Sequence, residues 1–320
     1  MSNRYIVILA GGRGERFWPQ SRLEHPKHLL PIVGECSMLS QTVARVTNVV
    51  PLANVFIITN LAQRAAVLAD CPQLKPEQVI SEPIGRDTAG AVALATAIVK
   101  HKDPKATFGL LPADHVIHDT ACFATQLEDA FKVADAGDYL VTLGIQPTGP
   151  ATAYGYICKG ASLAVPSICS RVFMVKHFAE KPTAELAQQY VSSGHYYWNA
   201  GMFVWRISAI EAALKAYCPQ HGAQMDLWVD GLNRGDDVTS LLAQSYSSLP
   251  KISIDYAVME KAPNVVCIEA TFDWDDVGEW PAIARHFPGD ESHNVVKGPA
   301  LLEDCQGNIV VTENGHLTAL

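Results

Sequence analysis

The order of apolar and amphipathic stretches predicts an α/β protein of Rossmann-like organisation: a mostly parallel mixed sheet flanked by helices, with a small C-terminal β element. Three observations support this. Short continuous apolar runs, at 6–9 (IVIL), 54–60 (NVFIITN) and 107–111 (TFGLL), show no polar alternation, the pattern of strands buried on both faces of a parallel sheet. Amphipathic or alanine-rich stretches separate them, and a β, α, β, α, β order calls for right-handed crossovers with helices on the faces. From residue 149 the pattern changes to shorter strands and glycine turns, as expected of a subregion grown from the same sheet.

The first strand ends at Ala10-Gly11-Gly12. Gly11, Gly12 and Gly14 remove every Cβ from the turn, so backbone N–H groups can approach a phosphate or the edge of a base. Arg13, Arg16, Arg22 and Lys27 follow within one loop, and that many cations beside bare amides suit a polyphosphate. Neither the P-loop nor the GxGxxG pattern fits, because Pro19 and Pro26 interrupt any helix after the glycines.

Residues 38–50 carry an apolar stripe (Leu39, Val43, Val46, Val50) at helical steps. The strand at 54–60, a helix at 61–69 and a strand at 79–83 come next. A helix at 89–100 follows, with Asp87 or Thr88 able to cap its first turn and Lys100 and His101 at the end that favours cations. The strand at 107–111 delivers Pro112-Ala113-Asp114-His115. Ligands of open parallel sheets bind at the carboxyl ends of strands, which makes Asp114 a candidate site carboxylate.

A helix at 120–136 and a strand at 139–144 precede the change of pattern. Strands are then expected at 154–157, 171–176 and 178–182, a helix at 183–193, and a strand at 197–205 that bears Asn199. Ser208 and Glu211 read as a capping box for a helix to residue 217. Residues 227–248 read as mostly helical with a polar break at 233–237, and 253–261 as a further helical piece. A strand at 265–270 leads into the acidic loop 272–278 (FDWDDVG), then a short helix at 280–286. From 294 onward, turns at Gln306-Gly307 and Asn314-Gly315 imply hairpin-like strands.

With 320 residues, 48% of them hydrophobic and 18% charged, the chain can bury a full core as one large domain or two smaller ones. The net charge of −9 argues against a nucleic-acid surface, so anionic ligands must be met locally, by Arg13, Arg16, Lys27 and a metal. Eight cysteines are scattered singly with no CxxC pair and read as free thiols in a reducing cytosol. No run approaches membrane length and no signal-like segment opens the chain. A cytoplasmic protein without membrane partners is expected.

Gly11-Gly12-x-Gly14-x-Arg16, Trp18-Pro19-x-Ser21-Arg22 and Pro26-Lys27 together resemble the signature of the sugar-1-phosphate nucleotidyltransferases, and within them the mannose-1-phosphate guanylyltransferases. The resemblance runs from residue 3 to about 290. It implies transfer of GMP from GTP to α-D-mannose 1-phosphate, giving GDP-mannose and pyrophosphate, with Mg²⁺ as cofactor. It also implies a nucleotidyltransferase domain over 1–290, with a nucleotide-binding part to about 148 and a sugar-binding part from about 149. Residues 291–320 would be a short β segment left open-ended. The family also includes fusions to a sugar-phosphate isomerase, a second domain for which this chain is too short.

The family's metal aspartates follow the LPAD strand and precede a hydrophobic residue and Gly, which points to Asp114 and Asp276, with Asp273 and Asp275 as close competitors. Mg²⁺ suits this chemistry because it takes hard oxygen ligands and neutralises charge on phosphate. Arg16 and Lys27 would hold the triphosphate, Lys27 as a mobile point charge on a surface loop. Ala10, Gly11, Gly12, Arg13, Gly14, Glu82, Arg86, Thr88 and Ala89 would meet the nucleotide. Gly85-Arg86-Asp87-Thr88-Ala89-Gly90-Ala91 departs from the family's usual GRNTAPA at Asp87 and Gly90. Gly155, Glu180, Lys181, Asn199 and Asp255 would meet the sugar phosphate. His25, His28, His115 and His118 are read as packing or surface groups. Two alternatives stay open, another sugar 1-phosphate as acceptor and a non-catalytic regulatory homologue, and so does assembly as a homodimer.

Overall fold

The computed structural model describes residues 3–312 and 318–319. Its centre is a nine-stranded sheet in the order β3-β2-β1-β4-β8-β5-β9-β7-β6. One half is parallel: β1 (Arg4–Ala10), β2 (Val55–Asn60), β3 (Val79–Glu82) and β4 (Thr107–Pro112). The apolar runs that define these strands are buried on both faces, as their lack of alternation requires. The other half mixes directions. β8 (Tyr196–Arg206) runs antiparallel to both β4 and β5 (Leu140–Ile145), while β9 (Val265–Ala270) is parallel to β5. β6 (Tyr156–Ser162) and β7 (Val172–Ala179) close this edge as an antiparallel pair. The β4–β8 register brings the start of β8 beside the exit of β4, so Asn199 and Asp114 lie at the same end of the sheet.

Helices α1 (Met38–Val46), α2 (Arg64–Asp70), α4 (Thr120–Ala136) and α5 (Ala184–Ser193) contribute to the core on one face. On the other, α3 (Asp87–Lys102) is buried almost all round. An alanine-rich helix without a polar face needs a second layer over it, and α6 (Ile207–Tyr217), α7 (Pro219–Arg234) and α8 (Val238–Ser245) supply that layer. A third cluster joins the glycine-rich loop to the acidic loop through Phe17, Ile32, Val33, Val116 and Val277. Among the described residues, no helix is long and apolar enough to cross a membrane.

Several local expectations are corrected. Ser208 lies inside α6, whose N-cap is Arg206, and Glu211 pairs with Lys100 and Lys215 instead of closing a capping box. Asp87 does not cap α3 through a distant amide. It sits at φ 61 and accepts from the adjacent Thr88 N–H, while Ala89 N–H is satisfied by the Ile252 carbonyl. Near the C-terminus, β10 (Val295–Lys297) pairs parallel with β12 (Ile309–Val311), and β11 (Ala300–Leu301) parallel with β13 (Thr318–Ala319). Parallel pairs cannot be hairpins, so Gln306-Gly307 turns a crossover. The expected turn at Asn314-Gly315 lies outside the described residues.

Candidate active site

The glycine-rich loop folds back on itself at Gly14, which has φ 62 and lies so close to Lys27 that an added Cβ would stand 2.4 Å from the lysine Cβ. Glycine is required there for both conformation and space. Ser21 Oγ donates to the Gly14 carbonyl at 2.7 Å, and Pro26 leads into a 3₁₀ turn, Lys27–Leu29. The expectation of a mobile surface lysine is corrected. Lys27 is 6% exposed, and its Nζ donates to Asp114 Oδ2 at 2.8 Å, to the Asp114 carbonyl at 3.1 Å and to the Asp276 carbonyl. It pins the exit of β4 to the acidic loop, which is also joined there by an antiparallel bridge between Val116 and Asp275.

The three loop aspartates part company. Asp273 accepts from the amides of His118 and Asp119 at the start of α4. Asp275 is buried and accepts from Arg285 at 2.6 and 2.8 Å, from the Val277 amide at 2.7 Å, and bonds His286 at 3.0 Å. Burial works against its charge, but His286 and Arg285 hold its carboxyl well below the ordinary value. The Asp276 carboxylate accepts one hydrogen bond among the described residues, from the Tyr154 hydroxyl at 2.7 Å. Asp114 likewise gives one oxygen to Lys27, whose charge overcomes the opposing effect of burial and keeps the carboxyl below its usual range.

Each of the pair therefore retains an oxygen with no protein donor among the described residues. Two such hard donors fit a Mg²⁺ that completes its shell with water and phosphate. Among the described residues no three His, Cys, Asp or Glu side chains converge into a protein-only cage. His28 and His115 are depressed to about 4, chiefly by burial, which leaves them neutral near pH 7.

Beside this centre a cleft of about 270 Å³ is lined by Leu9, Gly11, Gly12, Glu82, Asp87 and Thr88, among others. Glu82 is buried at its wall and accepts from the Tyr246 hydroxyl. Burial, with Asp87 adding to it, raises its carboxyl to about 7. Not every expected nucleotide residue reaches the cleft. Arg86 turns away to donate to the Ser247 carbonyl. Ala89 is buried, and the Ala10 carbonyl is taken by Thr59 Oγ1 at 2.8 Å. Arg13 stays on the rim, 3.5 Å from Glu15. Arg16 is exposed and makes no ion pair among the described residues, so its guanidinium is free for a ligand.

The second cluster brings together all five residues expected to face the sugar. Gly155 abuts Glu180 so closely that a Cβ would meet Glu180 Oε2 at 2.4 Å, and its carbonyl accepts from the Asn199 amide at 2.8 Å. Asn199 Nδ2 donates to Asp255 Oδ1 at 3.0 Å, and Thr142 Oγ1 donates to Asn199 Oδ1 at 3.1 Å. Lys181 lies 3.4 Å from Glu180. Burial, then the Glu180 charge, raises Asp255 to about 7, and burial also raises Glu180. Among the described residues six non-glycine residues have positive φ: Asp87 at the cleft, Lys181 beside Glu180 and Val277 in the acidic loop, with Ser167, His293 and Asp304 elsewhere. Such strain collects where surrounding contacts over-determine the backbone.

The family model for nucleotidyl transferases matches residues 5–293. The chain belongs to the nucleotidyl transferase family. A mannose-1-phosphate guanylyltransferase of Salmonella montevideo is 38% identical over 317 residues, 98% of this chain and 66% of that protein. The xanthan biosynthesis protein XanB of Xanthomonas campestris is 38% identical over 96% of this chain and 64% of its own length. The chain thus spans just under two thirds of these relatives. A crystal structure from Thermus thermophilus, described as a mannose-1-phosphate geranyltransferase, superposes with a TM-score of 0.86 at 34% identity, over 99% of this chain and 89% of that one.

Sequence reasoning missed the partners that hold this candidate site in shape. Tyr154 on Asp276, Arg285 and His286 on Asp275, and Trp274 Nε1 on His115 Nδ1 at 3.1 Å are tertiary contacts. Tyr154 and Asp276 stand 122 positions apart, and no local pattern could announce such a pair.

Proposed function

We propose that the protein transfers GMP from GTP to α-D-mannose 1-phosphate, releasing GDP-mannose and pyrophosphate. The observation that carries this reading is the Lys27 bridge between Asp114 and Asp276, with a glycine-walled cleft on one side and the Glu180–Asn199–Asp255 cluster on the other. The relatives' names supply the nucleotide and the sugar. Gly11, Gly12, Gly14, Glu82 and Thr88, from residues 1–148, would meet the nucleotide. Gly155, Glu180, Lys181, Asn199 and Asp255, from 149–290, would meet the sugar phosphate, and 291–320 would form an appended β segment.

Asp114 and Asp276 would hold Mg²⁺, which when bound neutralises phosphate charge as the reaction proceeds. Arg16 would grip phosphate oxygens as a rigid fork. Lys27, fixed by its carbonyl bonds, would present a preset positive charge to them. An oxygen of the sugar phosphate then attacks the α-phosphorus in line, the new P–O bond forms, and the bond to pyrophosphate breaks. A phosphate oxygen is already a nucleophile near neutral pH, so these side chains need only align and stabilise charge. Eight free cysteines suit a reducing cytoplasm, where we place the protein.

Pyrophosphate release, measured for each nucleoside triphosphate against a panel of sugar 1-phosphates, tests the proposal. GTP with mannose 1-phosphate should give the highest kcat/KM. A different preferred pair would make this a sister nucleotidyltransferase. Binding without release for every pair would make it a regulatory homologue.

A further inference from the structure

We propose that Tyr154 is a positioning residue that aims the Asp276 carboxylate at the metal, as part of an aromatic bridge running behind the site from one metal carboxylate to the other. The proposal rests on the reading of Asp276 as a metal ligand. Of the three aspartates in the acidic loop, Asp273 and Asp275 are held by their own partners, while among the described residues the Asp276 carboxylate is held by Tyr154 alone. A carboxylate on a loop with free rotation about its side-chain bonds is a poor ligand until something selects one rotamer.

Tyr154 can select it because its own ring is held from two directions. Trp198 of β8 meets it edge-on at 4.9 Å between centroids, and Trp274 of the acidic loop does so at 5.4 Å. Trp274 continues the bridge, donating from Nε1 to His115 Nδ1 at 3.1 Å with the two rings edge to face at 5.3 Å. His115 is the chain neighbour of Asp114. The contacts therefore run Asp276, Tyr154, Trp274, His115, Asp114, and set the spacing of the two carboxylates from behind while Lys27 sets it from within. Val277, next to Asp276, is held at φ 42 although β-branched, so the loop cannot easily relax to replace a lost contact.

The test is Tyr154→Phe, which keeps the ring and removes the hydroxyl. Mn²⁺ binding to the protein is followed by electron paramagnetic resonance of the free ion, alongside Tm and the KM for mannose 1-phosphate. Loss of an outer-shell partner typically weakens metal binding by about tenfold or more. Tyr154→Phe should show that loss, with Tm nearly unchanged and the sugar KM within about threefold. In an Asp276→Asn background the same substitution should have no further effect on Mn²⁺. Trp274→Phe, which keeps a ring beside Tyr154 but drops the donor to His115, should weaken Mn²⁺ in the same direction and less. Wild-type Mn²⁺ affinity in Tyr154→Phe, or an equal loss with and without Asp276, overturns the positioning role. If Asp276→Asn itself binds Mn²⁺ like wild type, the metal reading falls, and the proposal with it.

Discussion

Two groups of carboxylates stand at the same end of one sheet, and their surroundings tune them in opposite directions. Around Lys27, opposite charges meet: Asp114 is held low by the lysine and Asp275 by Arg285 and His286. Around Asn199, burial and like charge dominate, so Asp255 rises to about 7 and Glu180 also rises. A carboxylate held anionic suits a metal and repels no cation. One poised near neutrality can accept or donate hydrogen bonds, which suits hydroxyl groups that do both. Partner charge, more than burial, sets the difference in direction between the groups, since burial pushes upward in both.

The largest effect that could break this comparison is expected from Lys27→Ala. Lys27 is buried but Asp114 is partly exposed, so the cost should lie below the ~3–5 kcal/mol of breaking a fully buried pair, and the Asp276 carbonyl loses its partner as well. Activity should vanish, and Tm should fall by more than for any other change considered. Thermal denaturation showing wild-type stability would mean that the bridge does not hold the two loops. Next in size, Asp114→Asn and Asp276→Asn should each lower kcat by about a hundredfold or more, and EDTA should abolish wild-type turnover reversibly. Turnover that survives chelation would remove the reason for an anionic pair.

Glu180→Gln and Asn199→Ala sharpen the other side. An unpartnered buried polar group costs on the order of 1–3 kcal/mol, so KM for the sugar phosphate should rise about tenfold, while GTP affinity by equilibrium titration stays within about threefold. Equal losses for both ligands would show that the two regions are not divided by substrate. The smallest effect is in pH-dependent stability. Asp255 has a folded pKa raised above its unfolded value, so its contribution is fully present below about pH 4 and is lost as pH rises towards about 7. Glu82 acts in the same window. Asp255→Asn should flatten the fall of the urea midpoint between about pH 4 and about pH 7, and an unchanged slope would show that Asp255 ionises normally.

By itself the sequence determined the parallel half of the sheet, the loop that carries Gly14 and Lys27, and the family. Each of these rests on local pattern: apolar runs of strand length, glycines where a backbone must turn, proline breaking a helix. The sequence also put Asp114 at a strand end, but Asn199 reaches the same end only because β8 runs antiparallel to β4, which no local pattern announces. Tertiary structure alone decided which aspartate of the acidic loop stays free, since Arg285, His286 and Tyr154 come from other segments and compete for neighbouring carboxylates. It also turned Arg86 from the cleft to the Ser247 carbonyl, buried Lys27, and made the C-terminal strands parallel. For the charged groups the physical reason is shared: a charged side chain settles wherever its desolvation is best compensated, and the compensating groups sit on other elements, from 10 residues away for Arg285 on Asp275 to 249 for Lys27 on the Asp276 carbonyl.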